Sequence, residues 1–139
     1  MENVNFVIRK ATVEEFIDIR QSVDWNCPKK DETIEIALEN TLFQICVEKD
    51  DELIGYGRIL GDNAFTFYIQ DVIVKPKYQG NGIGGEIMNI IMQYLKDNYS
   101  NELMVCLLSA KGKEGFYKKF GFIERPDNTY GAGMINFIN

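Results

Sequence analysis

The segment Gln79-Gly80-Asn81-Gly82-Ile83-Gly84-Gly85 is the part of this sequence most clearly built for chemistry. It lies between an apolar run, Val72-Ile73-Val74, and a long stretch of helical periodicity. Glycines let the backbone come close to a ligand and take positive φ. The first N–H groups of a helix have no partner within it, and the helix dipole adds partial positive charge at that end. A glycine turn that opens a helix is therefore a site for a pyrophosphate.

Two familiar phosphate loops fit poorly. A Walker A loop ends in Gly-Lys-Ser/Thr, which is missing here. Gly80, Gly82 and Gly85 do reproduce the dinucleotide spacing of glycines at one, three and six. However, Lys75 to Tyr78 separate the strand from the turn, and the next strand ends without an acidic residue to hold a ribose. Only about 30 residues follow that strand, too few for a second nucleotide-binding half.

Composition narrows the remaining chemistry. Histidine is absent, which excludes His-based triads and His-ligated zinc. Acid–base work falls to carboxylates, Tyr, Lys, Cys or water. Cys27, Cys46 and Cys106 have no metal-ligand spacing, so no metal is expected, and the latter two lie in apolar runs that read as core. The net charge of −6 is uneven: residues 1–70 hold 14 acidic and 7 basic side chains, residues 71–139 hold 7 and 8. The acidic half argues against nucleic acid and suits a cationic small molecule, although it would equally serve to solubilise the surface. No apolar run approaches the roughly 20 residues of a membrane span. Met1 to Lys10 lacks a leader pattern, so a cytoplasmic location is expected.

The 139 residues have the length of a single domain, 1–139. Asn5 to Arg9 reads as a strand. Thr12 and Glu15 form a capping box for a helix running toward Val23. Pro28 breaks the chain before a second helix at Glu32 to Asn40. Strands at Phe43 to Glu48, Leu53 to Leu60 and Phe65 to Val74 follow, joined by short turns that imply antiparallel pairing. Ile83, Ile87, Ile90, Ile91, Tyr94 and Leu95 share one face of a helix over Asn81 to Tyr99. Leu103 to Leu108 reads as a strand buried on both faces, parallel to Phe65–Val74. A short helix at Lys113 to Phe120 and strands at Phe122–Arg125 and Met134–Ile138 complete the order. The fold class is α/β (α+β), a mixed sheet flanked by helices.

Gln79, Gly82 and Gly84 fill the pattern (Gln/Arg)-x-x-Gly-x-(Gly/Ala), preceded by the connector Val74 to Tyr78. This resembles motif A of the GNAT superfamily of N-acetyltransferases. Phe116-Tyr117-Lys118-Lys119-Phe120-Gly121-Phe122 is similar to that superfamily's motif B, Phe-Tyr-x-x-x-Gly-Phe. The resemblance covers most of the chain in element order and is sharpest in residues 65–95 and 110–134.

The resemblance implies a mostly antiparallel sheet of about seven strands with a central parallel pair splayed at the cofactor, flanked by about four helices. It implies acetyl-CoA as co-substrate, held by Val72, Ile73, Val74, Gln79, Gly80, Asn81, Gly82, Ile83, Gly84 and Gly85. The same molecule would meet Ser109, Ala110, Phe116, Tyr117 and Lys119. The pantetheine arm would pair with strand backbone in the splay. Many members carry an asparagine where this chain has Ala110, so that contact must come from Ser109 or backbone. Lys111, Lys113, Lys118 and Lys119 suit the phosphates of coenzyme A, or else form a solvated face.

Tyr117 would protonate the departing thiolate. Asp71, directly or through water, is the candidate base, with a bulk-water relay as the alternative; the side Asp71 faces depends on whether its strand is bulged. Tyr68 occupies a position where some relatives carry a base glutamate. The acceptor pocket would draw on Trp25, Asn26, Tyr56, Arg58, Tyr68 and Tyr130, with Trp25 serving equally well as a core plug. Residues 125–134 are rich in turn formers and read as a flap. The expected reaction is acetylation of a small primary amine by direct attack. A peptide acetyltransferase and a non-catalytic acyl-CoA sensor are the alternatives. The resemblance also allows a homodimer through late strands.

Overall fold

The computed structural model describes residues 3–139. Met1 and Glu2, part of the stretch read for a leader, lie outside the described residues. The chain forms two compact units, the first ending at Cys106 and the second spanning Leu107–Asn139.

The first unit is a sheet in the order β1-β2-β3-β4-β5. Its strands are β1 (Val4–Ile8), β2 (Phe43–Lys49), β3 (Glu52–Gly61), β4 (Thr66–Val74) and β5 (Met104–Leu107). Pairs β1–β2, β2–β3 and β3–β4 are antiparallel, as the short turns between the last three strands require. The Met104 N–H donates to the Phe65 carbonyl at 2.8 Å, so β4 and β5 begin side by side. That is the parallel arrangement of a β-α-β crossover, and it makes the sheet mixed.

Helices α1 (Val13–Gln21) and α2 (Asp31–Glu39) cover one face. The capping box of α1 forms as its sequence dictates: Glu15 N–H donates to Thr12 Oγ1, and Thr12 N–H donates to Glu15 Oε1. Phe16, Ile19, Ile34 and Leu38 from these helices pack on Cys46, Leu53, Tyr56 and Ile73. Helix α3 (Ile83–Asn98) covers the other face, burying Ile83, Ile87, Met88, Ile91 and Leu95. Its approach depends on two glycines of β3. A Cβ on Gly57 would stand 2.9 Å from Ile87 Cγ2 and 3.0 Å from Ile91 Cδ1; one on Gly55 would stand 3.3 Å from Ile83 Cγ2.

Three expectations are corrected. The sheet has five strands among the described residues: Phe122–Arg125 and Met134–Ile138 form none. Apolar alternation alone does not make a strand without a ladder to join. β5 is not buried on both faces, since Met104 is 54% exposed, and Cys106 is exposed rather than core. It lies at the end of the sheet order, where a strand has one neighbour instead of two. The short late helix is α4 (Glu114–Lys118); Phe116 within it and Phe120 just after it are half-buried.

Gly57→Val should lower stability by about 1–3 kcal/mol through overpacking against α3. Urea unfolding followed by far-UV circular dichroism should show a lower midpoint with an unchanged slope.

Candidate functional site

After β4 the chain makes one 3-10 turn, Pro76–Tyr78, and buries Tyr78. Gln79 Nε2 then donates back to the Val74 carbonyl at 2.9 Å, and Asn81 Nδ2 to the Tyr78 carbonyl at 3.2 Å. These bonds hold the turn from within. Gly80 has φ 82° and Gly82 φ 81°, the left-handed region that side chains disfavour. A Cβ at either position would meet nothing within 4 Å. Glycine is required there by backbone conformation, and the space beside it is open to a ligand. Gly82 is the N-cap of α3 and supplies no side-chain cap. The first helical bond runs from Glu86 N–H to the Gly82 carbonyl at 3.1 Å, so the preceding N–H groups have no partner within the helix. Free N–H groups at the start of a helix can hold an anion such as a phosphate.

β4 itself is bulged. Arg58 pairs with Gln70 but Tyr56 with Ile73, which leaves Asp71 and Val72 opposite Gly57 alone. Asp71 adopts φ 58° to make the extra step. The bulge switches faces: Phe67 packs on Tyr99 at the end of α3, with ring centroids 4.5 Å apart, whereas Ile73 joins the α1–α2 core.

The Asp71 side chain is fully buried on the α1 side, where it pairs with two guanidiniums. Arg58 Nε donates to Oδ2 at 2.8 Å, and Arg20 Nη1 donates to Oδ1. Arg58 Nη1 also donates to Thr41 Oγ1 at 3.1 Å. Both carboxylate oxygens are engaged, which suits an anchor better than the proton acceptor expected of Asp71.

The structure moves two expected acceptor residues away from the surface. Tyr56 lies wholly in the core, its hydroxyl donating to Gln44 Oε1 at 2.7 Å, and burial pushes its phenol well above the usual range. Arg58 is occupied by Asp71. β3 turns both toward α1 and α2, a direction their strand register sets and their residue types do not. Tyr68 is half-buried on β4, paired with Leu60. Trp25 and Asn26 do border a cleft, about 630 Å³, at the loop between α1 and α2, with Ile17, Gln21, Cys27 and Lys29. Trp25 also packs against the core, which is the plug role foreseen for it.

In the second unit, α4 carries an aromatic cluster. Phe116 meets Tyr117 at 5.0 Å and Phe120 at 5.3 Å between centroids, and Tyr117 meets Phe122 at 6.2 Å. Burial raises the Tyr117 phenol above its ordinary value. Ser109 Oγ donates to the Ala110 carbonyl at 2.7 Å, and Lys118 pairs with Glu124 at 2.7 Å. The segment read as a flap is bonded within itself. Asp127 Oδ1 accepts from the Thr129 and Tyr130 N–H groups at 2.8 and 2.6 Å, and Arg125 Nε donates to the Gly131 carbonyl at 2.6 Å. The Arg125 guanidinium lies 5.1 Å from the Tyr130 ring centre.

Sequence reasoning missed Arg20. It stands 51 residues from its carboxylate partner, and no local spacing links the two.

Residues 19–139 match the sequence model of the acetyltransferase (GNAT) domain. The GCN5-related N-acetyltransferase 1, chloroplastic, of Arabidopsis thaliana is 30% identical over 97% of this chain and 70% of its own length. A solved probable acetyltransferase from Staphylococcus aureus superposes with TM-score 0.84 at 32% identity, covering 96% of this chain and 99% of that one. A GNAT family acetyltransferase from Elizabethkingia anophelis, solved with acetyl-CoA bound, superposes with TM-score 0.66 at 20% identity over 91% and 80% of the two chains. The chain spans 58% of the length of a similar N-acetyltransferase from Pyropia yezoensis.

Gly82→Val should cost more than the roughly 1–2 kcal/mol of an ordinary left-handed residue, because a β-branched side chain is poorly tolerated at positive φ, and it would fill the open space beside the turn. Calorimetric titration with coenzyme A should show binding weakened by roughly 100-fold or lost.

Proposed function

The chain belongs to the GNAT family of acetyltransferases, and from that premise we propose that it transfers the acetyl group of acetyl-CoA to the primary amine of a small molecule. The observation that carries this reading is the left-handed pair Gly80 and Gly82 opening the uncapped helix α3. We treat the two units as one catalytic domain, because the family match runs across both.

Backbone donors of residues 79–85 would grip the pyrophosphate, with backbone of Val72 to Val74 along the pantetheine arm; in the second unit, Ser109 and Ala110 are the residues the family resemblance assigns to the same co-substrate. Phe116 and Lys119 would flank it. The amine nitrogen attacks the thioester carbonyl, the C–S bond breaks, and the thiolate takes a proton from the Tyr117 hydroxyl. The proton shed by the attacking nitrogen passes to water, and water returns one to the Tyr117 phenolate, while Asp71 holds the bulge of β4. The cleft at Trp25 and Asn26, about 630 Å³, has room for a small amine. Tyr68 and Tyr130 would complete the acceptor side.

Among the described residues no helix is long and apolar enough to cross a membrane. The free thiols of Cys27, Cys46 and Cys106 favour a reducing compartment such as the cytoplasm. Met134 (92% exposed), Phe137 (77%) and Ile138 (91%) offer apolar surface that a second copy would cover in a homodimer.

The test is an acceptor screen following thiol release, with polyamines, aromatic amines, amino sugars and peptides side by side. Turnover with no amine would overturn the reading in favour of a sensor; turnover with peptides alone would replace the substrate class.

Tyr117→Phe should keep its affinity for acetyl-CoA and lose turnover by about 10²-fold or more. Burial raises the Tyr117 pKa, so the phenol keeps its proton further into alkali than a free tyrosine. Its alkaline loss of turnover in the wild type should therefore fall above pH ~10. A pH–rate profile checks this.

A further inference from the structure

Arg20 makes more connections than an ion pair needs. Its Nη1 donates to Asp71 Oδ1 in the bulge of β4. Its Nε and Nη2 both donate to the Asn26 carbonyl, at 3.0 and 2.6 Å. Its guanidinium carbon lies 5.5 Å from the Phe16 ring centre and 5.6 Å from that of Trp25. Separately from its side chain, the Arg20 main-chain carbonyl accepts from the Trp25 main-chain N–H at 2.9 Å. One side chain thus ties the bulged strand to the loop whose residues border the cleft.

We propose that Arg20 is a positioning residue for the acceptor: its guanidinium sets the loop bearing Trp25 and Asn26 against the Asp71 bulge and so fixes the shape of the cleft. The assignment rests on the acetyltransferase reading above. Lysine is a poor substitute, because an ammonium has no planar fork to face a carboxylate and a carbonyl while its plane covers two rings.

Charge balance separates Arg20 from its neighbours. The cluster holds two guanidiniums and one carboxylate. Removing Asp71 would leave two cations facing each other with no counter-charge, which is expected to undermine the fold. Removing Arg20 leaves Arg58 and Asp71 as a matched pair, so the sheet should survive while the loop loses its tether.

The test uses Arg20→Gln and Arg20→Lys in the full chain. Trp25 is the sole tryptophan, so its emission reports the loop whether or not the enzyme turns over. Both variants should shift that emission to the red. Both should also raise the KM for the acceptor, measured with phenethylamine, spermidine and glucosamine, by 10-fold or more, with the KM for acetyl-CoA changed less than 2-fold. Arg20→Lys gives the same readings if Arg20→Gln does not fold. Unchanged emission, an unchanged acceptor KM, or an equal rise in both KM values would overturn the proposal. A wild type that acetylates none of the three amines refutes the substrate reading instead, and the emission shift still decides whether Arg20 holds the loop.

Discussion

A buried carboxylate between two guanidiniums is the interaction on which the rest of this structure turns. Asp71 occupies a left-handed conformation inside a strand, where a non-glycine residue is strained by roughly 1–3 kcal/mol. Its side chain is wholly shielded from water, and an unpaired charge there would be untenable. Arg58 from the neighbouring strand and Arg20 from α1 meet both oxygens. The bulge persists because these charges are satisfied only when the extra residue is accommodated.

The consequences run along β4. Before the bulge its buried residues face α3, as Phe67 does against Tyr99. After it, Ile73 faces α1 and α2. The strand thereby closes two cores and delivers Val74 to the glycine turn. On the other face, Gly55 and Gly57 give α3 the clearance it needs, so the helix whose N-terminus opens at Gly82 sits close on the sheet. The glycine turn is positioned by absence of side chains twice over: on β3 for packing, and at Gly80 and Gly82 for backbone conformation.

Much of this was legible in advance. The capping box at Thr12 and Glu15, the face shared by Ile83, Ile87, Ile91 and Leu95, and the three antiparallel strands are local or periodic features. They depend on residues within a few positions of one another. The late strands were misread because alternating apolar residues are also found where no neighbour offers a ladder. Tyr56 and Arg58 were assigned to an acceptor wall when they belong to the core side, since residue type does not say which way a strand is turned.

The amino-acid sequence by itself determined the glycine turn, the helix behind it and the family of the chain, because those follow from conformational preference and short-range spacing. Tertiary structure decided what Asp71 does. Its partners come from positions 20 and 58, joined to it only when α1 is laid across β3 and β4. Electrostatic pairing of that kind is a property of three segments brought together, and no window along the chain contains it.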